Sequence, residues 1–407
     1  MMGNSKINHI NLTNLIWGLC CFACCITGNE WSGAIVSLCR YIIFFLLFYL
    51  TLQNKINLDK GLYRFSIGVF LSAIFCTIYN TLAGYAYFDL FLHLRQTIYF
   101  LLFIYCGYYI AYKKKDSDTI FKTIHYISIM AAWIIILQFV FHLFNFYLNR
   151  IPIAGEVIFK AVDTERYFRP SAFFSEPSYF AEICLVDLFS CLFKKRNLKI
   201  VLLELIALVL STSTLGIGFG YILLVLWSCK QRLTKNIIIS NLIKLLMIGT
   251  LLIILTFIFL YEGDSTIVLR IQNGATINQR MLRAFEIFYQ LDVYHMLFGI
   301  GMQNMTNYLN YYSINLVNEG IDTLLNREYA QSFGYVLCTL GIPGATAFGG
   351  FLIFLYSKCT KENRYFFVVI FGLCLTASII TRIIFIIYIT IMYCMILNDR
   401  RSKVKGE

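Results

Sequence analysis

The feature that most constrains this chain is a series of apolar runs that recurs from end to end, at about 12–28, 33–52, 65–88, 89–112, 123–148, 177–193, 200–213, 214–228, 237–261, 332–357, 365–380 and 383–397. A helix needs roughly 20 apolar residues to cross about 30 Å of hydrocarbon, and most of these runs approach that length. With 59% hydrophobic and 14% charged residues among 407, the chain carries more apolar surface than a soluble domain can bury. The expected fold is an all-α polytopic membrane protein, a single transmembrane domain over residues 1–407 with about 12 transmembrane helices. The first run, Leu12 to Thr27, lacks a polar, small-residue cleavage site and is read as the first span. Two helices rather than one over 200–228 require a tight turn at the Ser-rich stretch Ser211 to Thr214.

Loop charge supplies an independent check. The net charge of +12 does not point to nucleic acid, because the cations are spread over short loops instead of one face. Lys55, Lys60 and Arg64 form one basic cluster, Lys113 to Lys115 a second, and Lys194, Lys195, Arg196 and Lys199 a third. Lys230, Arg232 and Lys235, then Lys358, Lys361 and Arg364, then Arg400, Arg401, Lys403 and Lys405 continue the series. Every second loop is basic, which places those loops and both termini in the cytoplasm. The 14 cysteines lie in apolar runs or beside the basic loops, so no disulfide scaffold is implied. The cluster CCFACC at Cys20 to Cys25 sits inside the first span, where Cys packs as a small apolar residue.

Two long outer loops remain, about 149–176 and 262–331, and loops of that length on a compact membrane protein are usually functional. The first sets Arg150, Lys160, Arg166 and Arg169 among Glu156, Asp163, Glu165 and Glu176. Solvated ion pairs account for Arg150, Lys160 and Glu156. Arg166 and Arg169 stand near Glu176 and Pro177, where the sixth span begins and exposed amides of a helix N-terminus attract anions. In the second loop, NQRMLRAFEIFYQLDVYHMLFG reads as an amphipathic helix, with Met281, Phe285, Phe288 and Leu291 on one side. Arg280 and Arg283, three residues apart, project together, and Glu286 or a bound anion would balance them. An interfacial helix lying on lipid headgroups is the alternative.

Arg40, Arg95 and Arg382 fall within or between spans, towards the outer ends. An arginine in hydrocarbon is costly unless it faces a polar cavity with a partner or reaches an interface. With Arg166, Arg169, Arg280 and Arg283 these arginines would form a positive outer-leaflet cavity suited to a diphosphate. Glu182, Asp187 and Glu204 in apolar runs call for pairing or a proton path. Asp89, His93 and Gln96 make a polar stripe beside Arg95, lining the same cavity or bonding a neighbouring helix. His295 in the second outer loop is a candidate group titrating near neutral pH. There is no Walker A sequence and no HExxH, so neither ATP nor a metal or other cofactor is expected.

The stretch RPSAFFSEPSYFAE resembles the Wzy-type O-antigen and capsular polysaccharide polymerases, relatives of the O-antigen ligases. The family pattern is an outer-loop Arg followed by Glu-Pro-Ser at the start of the next span. Arg169 and Glu176-Pro177-Ser178 match it, while Ala172 stands where the family commonly has Gly. LSTSTLGIG at 210–218 resembles the family's Ser-rich turn, LFGIGMQN at 297–304 its Gly-x-Gly segment, and LGIPG at 340–344 its late Leu-Gly-x-x-Gly. The absence of Arg after Ser213 departs from the ligase-like Ser-Arg pattern.

The resemblance implies a GT-C-like membrane glycosyltransferase in the bacterial cytoplasmic membrane. Its donor and acceptor would be undecaprenyl-diphosphate-linked glycans, and a flippase and a chain-length regulator are the companions it suggests. Arg169, Glu176 and Arg280 are the expected catalytic residues. Arg166, Ser178, Tyr179, Arg283, His295, Arg95, Arg40 and Arg382 are expected to bind substrate. A ligase or a lipid-linked oligosaccharide flippase is the alternative.

Overall fold

The computed structural model describes residues 4–26, 30–53, 58–114, 117–144, 152–153, 156–157, 161–164, 167–195, 197–231, 282–314, 316 and 330–405, with scattered positions between 237 and 249. Five long helices lead: α1 (Asn4–Ile26), α2 (Glu30–Gln53), α3 (Lys60–Leu82), α4 (Leu90–Lys113) and α5 (Ser117–Leu143). Two short antiparallel hairpins follow, β1 (Pro152–Ile153) with β2 (Glu156–Val157) and β3 (Ala161–Thr164) with β4 (Tyr167–Pro170). Next come α6 (Pro177–Ser190), a π turn over Cys191–Lys195, α7 (Leu198–Leu210) and α8 (Thr214–Lys230). Three short helices, α9 (Arg283–Tyr289), α10 (Val293–Phe298) and α11 (Met305–Tyr311), precede α12 (Ser332–Lys358), α13 (Arg364–Thr376) and α14 (Ile384–Lys405).

This is an all-α membrane protein. Among the described residues, five helices are long and apolar enough to cross a bilayer: residues Gly33–Gln53 of α2, then α3, α4, Asp118–Leu143 of α5, and α12. Their outward faces carry large apolar side chains, among them Phe45, Phe48, Phe70, Phe91 and Trp133, each more than half exposed. Such a surface is stable only against lipid. Shorter apolar helices run over Leu12–Ile26, Thr214–Lys230, Arg364–Thr376 and Ile384–Asn398. Each apolar segment read from the sequence coincides with a helix except 237–261, most of which lies outside the described residues. The hairpins were not foreseen, although AVDTERYF has the β-branched and aromatic composition that favours paired strands.

Packing places α14 at the centre. Every residue from Ile383 to Ile396 is buried, and a helix apolar all round must be surrounded by others. It packs along α4 and also touches α1, α5 and α12, while α3 lies along α12 and α5 joins α6 and α7. Lys113, Lys230 and Lys358 occupy the last turns of α4, α8 and α12, where the helix dipole favours cations. Lys230 pairs with Glu362 of the α12–α13 turn, which ties two of these ends together. We call this the basic face, and the opposite one the loop face. A cavity of about 590 Å³ lined by Asp59, Lys60, Arg64, Tyr112, Lys358 and Tyr393 also opens on the basic face.

Helix α12 is broken at Gly341, whose φ of 68° and ψ of −173° lie outside the helical region. Two residues on, Pro343 has no N–H to offer Thr339, and the break removes the amide that Cys338 would receive. Both orphaned carbonyls find donors elsewhere: Ile300 N bonds Cys338 O and Gly301 N bonds Thr339 O, each at 3.0 Å. Glycine is needed on both sides of this junction. A Cβ on Gly341 would sit 2.2 Å from Leu297 O, and one on Gly299 would sit 2.4 Å from Thr339 O. Asn80 Nδ2 of α3 closes the seam by donating to Gly299 O at 3.1 Å. The Gly-x-Gly segment and LGIPG, 40 residues apart in the chain, are therefore two halves of one joint.

Gly341→Ala is expected to destabilise the protein by about 2 kcal/mol or more, from the positive φ plus the backbone clash. Thermal unfolding in detergent checks this, and a melting temperature equal to wild type would contradict the joint.

Candidate functional site

The loop face carries the hairpins, the α7–α8 turn, the α3–α4 turn and the helices α9 to α11. The turn demanded by two helices over 200–228 is present at Ser211 to Ser213, with Thr212 at φ 51° and Ser213 capping α8 by accepting Gly216 N. Arg169, on β4 opposite Val162, donates from Nε to Thr212 Oγ1 at 3.0 Å. The hairpin arginine and the Ser-rich turn, 43 residues apart, are thereby in contact.

Between Arg169 and α6 the chain makes a tight buried turn. Phe174 N bonds Ser171 O at 3.0 Å, and Ser171 Oγ donates to Phe174 O at 2.7 Å. Ala172 adopts φ 54° here and is fully buried, its amide held by Gln138 Oε1 at 3.0 Å. A left-handed backbone strains any side chain, which is why glycine suits this position. Glu176 is the N-cap residue of α6 with Pro177 at the first helical position, but its carboxylate makes no capping bond. It is exposed and accepts Ser178 Oγ at 2.9 Å. The strained turn holds Ala172 and Phe174 inside and leaves the Glu176 carboxylate outward.

The intramembrane arginines are each tied to local partners. Arg382, in the α13–α14 connection, forms an ion pair with Glu182, donates from Nε to Ser378 O at 2.8 Å and lies 4.4 Å over the Tyr179 ring. Tyr179 thus covers the guanidinium, and Ser178 beside it is buried. Arg95 donates to Gln303 Oε1 at 2.9 Å, and Arg40 lies 5.0 Å over Tyr99. Arg40 stands ten residues into α2, in its N-terminal half. Burying an arginine against an acid or an aromatic face offsets its desolvation. Arg283 begins α9 and is buried. Arg166 and Arg280 lie outside the described residues.

The polar stripe on α4 is a brace. Asp89 caps the helix by accepting Leu92 N at 3.0 Å, and buried His93 joins Met302 N at 2.8 Å to Ala73 O at 3.3 Å. The single amphipathic helix expected over 278–299 is, over the described residues from 282 on, instead two, α9 and α10, separated at Gln290 to Asp292. Asp292 explains the break, because its carboxylate caps α10 by accepting Tyr294 N and His295 N at 2.9 Å.

That cap aims His295 inward. The ring is fully buried, with Nδ1 on the Asp292 carboxylate and Nε2 2.7 Å from Tyr87 Oη, and the Tyr87 hydroxyl donates to Asn80 Oδ1. Asp292, His295, Tyr87 and Asn80 thus form one continuous hydrogen-bonded chain. Burial opposes the charge on Asp292, but the amides of His295 and Tyr294 and the His295 ring outweigh it and hold the carboxyl below its usual range. Burial pushes the Tyr87 hydroxyl up, so it serves as a donor. Tyr79, Tyr85, Tyr308 and Tyr312 surround the chain, and exposed Tyr294 and Tyr311 edge it. Sequence reasoning missed Tyr87 and Asn80, whose role depends on a long-range meeting. Asp292, three residues before His295, carried a readable helix-cap signal.

Comparison with known proteins returns no match, whether with family models, curated proteins or solved structures.

Tyr87→Phe removes a hydroxyl shared by His295 and Asn80 and is expected to cost about 1–3 kcal/mol. Chemical or thermal unfolding in detergent measures it; a loss below about 0.5 kcal/mol would mean that the chain of bonds is not maintained in the membrane protein. For the buried pair, Glu182→Leu alone is expected to cost about 3–5 kcal/mol by stranding Arg382, and the double change Glu182→Leu/Arg382→Leu less than that. A double-mutant cycle reads the difference directly.

Proposed function

We propose that this chain is a bacterial membrane glycosyltransferase that polymerises undecaprenyl-diphosphate-linked oligosaccharide repeats into O-antigen or capsular polysaccharide. In this reading about 12 spans cross the cytoplasmic membrane, both termini are cytoplasmic, and the loop face is the outer one. The observation that carries it is the Arg169–Thr212 contact, which joins two motifs that resemble the polymerase pattern at the mouth of α6. The Gly299–Gly341 joint, which unites the other two, lends further support.

Breaking a sugar–diphosphate bond leaves negative charge on the departing diphosphate. An arginine fixed at that position stabilises the developing charge without reorganisation, which is how a rigid site lowers a barrier. Arg169 is assigned this role, held in place by the β3–β4 pairing and by Thr212, with Arg280 and Arg166 as its companions. The dipole at the N-terminus of α6 adds a favourable field for the same anion. Glu176 stands beside it, exposed and bonded to Ser178, placed to accept the proton of the attacking sugar hydroxyl. The exposed rings of Tyr294 and Tyr311 supply flat apolar faces edged with hydroxyls for the sugar chain.

Complementation of a deletion strain, with surface polysaccharide sized on gels, tests the assignment. Arg169→Ala at normal membrane abundance is expected to leave a glycan one repeat long, and wild-type chain lengths from that variant would refute the diphosphate role. Glu176→Gln is expected to lower polymerisation by roughly 10²-fold or more. A deletion that leaves intact lipid-linked polymer but no ligated product would identify a ligase, and one that traps single repeats on the cytoplasmic side a flippase.

A further inference from the structure

Helices α5, α6 and α7 bury a second polar cluster that the transfer reaction does not use. His125 Nδ1 of α5 lies 2.7 Å from Asp187 Oδ2 of α6 and 3.9 Å from Cys191 Sγ in the π turn. All three donor atoms fall within 4.8 Å of one another. Asp187 and Cys191 are fully buried, and His125 is 14% exposed. Behind them Glu204 of α7, also fully buried, accepts Ser128 Oγ on one oxygen and faces Asp187 with the other. Glu204 Oε2 and Asp187 Oδ1 have no hydrogen-bond donor from any other group. Two unsatisfied carboxylate oxygens inside a membrane protein are costly, so the cluster calls for a positive charge.

We propose that His125, Asp187 and Cys191 bind a divalent transition metal of the zinc type, with Glu204 as the remaining ligand or as a protonated carboxyl bonded to Asp187. An imidazole, a carboxylate and a thiolate form the mixed N, O and S set that suits zinc, whereas magnesium and calcium take oxygen ligands. The charges also close, since Asp187 and a Cys191 thiolate together neutralise a divalent ion. Metal–ligand bonds of about 2.0–2.3 Å at a tetrahedral angle separate donor atoms by roughly 3.3–3.7 Å. The 2.7 and 3.9 Å spacings bracket that range, so small side-chain rotations that exchange the His125–Asp187 hydrogen bond for metal bonds produce the site.

The backbone is arranged for it. Asp187 and Cys191 are four residues apart and share a helix face, and the helix widens into the π turn at Cys191, a local change that often marks function. Asp187 lies ten residues beyond Pro177, about 15 Å along α6. The site is therefore remote from Arg169 and Glu176, closed as structural metal sites are, and clamps α5 to α6 beneath the loop face. It stands independently of the polymerase reading.

The full chain, purified in detergent without a polyhistidine tag and stripped by chelation, is titrated with cobalt(II) and with zinc(II). The expected result is one cobalt per chain by elemental analysis, with intense ligand-field bands and a thiolate-to-cobalt charge-transfer band. Cys191→Ser should abolish the charge-transfer band, and His125→Ala should weaken binding at least tenfold, while Cys374→Ser, a buried cysteine elsewhere, leaves both unchanged. A charge-transfer band retained in Cys191→Ser, or no stoichiometric cobalt in the wild type, overturns the proposal. If Cys191→Ser or His125→Ala is not monodisperse, the wild-type melting temperature decides: it must rise on adding zinc, and no rise refutes the site.

Discussion

A backbone in hydrocarbon has no water to bond, so each peptide group must find its partner within the protein. That constraint is most severe where α12 breaks at Gly341 and Pro343, leaving the carbonyls of Cys338 and Thr339 without helical donors. The amides of Ile300 and Gly301 fill both vacancies, and Asn80 of α3 secures Gly299 in turn. This joint fixes the connection between α10 and α11 against α12 and α3, and through it everything on the loop face. Asn80 also accepts the Tyr87 hydroxyl, so the repair of a broken helix and the placement of His295 share one residue. The same requirement governs α13, whose 13 residues rise only about 20 Å, short of the hydrocarbon thickness. Its extended continuation is paired rather than exposed, with Ser332 bonding Ala377 O and receiving Ile379 N.

Charge inside the bundle follows a parallel rule. Glu182 pairs with Arg382, Asp187 with His125, and Glu204 accepts from Ser128, so each acid picked out from the apolar runs has a partner on another element. Glu182 and Arg382 form a cross-link between α6 and the α13–α14 connection near the loop face, roofed by Tyr179. Asp187 and Glu204 lie deeper and face each other, a placement that pairing alone leaves incomplete.

Arginine placement separates two roles. Arg382, Arg95 and Arg40 are held by an acid, an amide and an aromatic ring, which makes them part of the scaffold that shapes the loop face. Arg169 rises on a hairpin above that scaffold and leans on the α7–α8 turn. Such a support suits the role proposed for Arg169: rigid enough to be preorganised, yet outside the packed bundle.

Hydropathy and loop charge alone specified the helical membrane character and the helix positions, because these depend on local composition and on the cost of placing charge in lipid, whereas 200–228 was compatible with one helix or two and the structure supplies the turn at Ser211 to Ser213. Motif spacing marked Arg169, the Ser-rich turn, Glu176, the Gly-x-Gly segment and LGIPG, but not that Arg169 meets the turn or that the two glycine segments meet each other. The hairpins, the outward turn of Glu176, the division of one expected helix into α9 and α10, and the Asp292–His295–Tyr87–Asn80 chain were decided only in three dimensions. The reason is physical: each rests on hydrogen bonds between segments far apart in sequence, such as His295 to Tyr87 or Gly301 to Thr339, whose energy exists only once the helices have packed. Sequence determined what must lie in the membrane, and tertiary structure decided which polar groups would answer one another there.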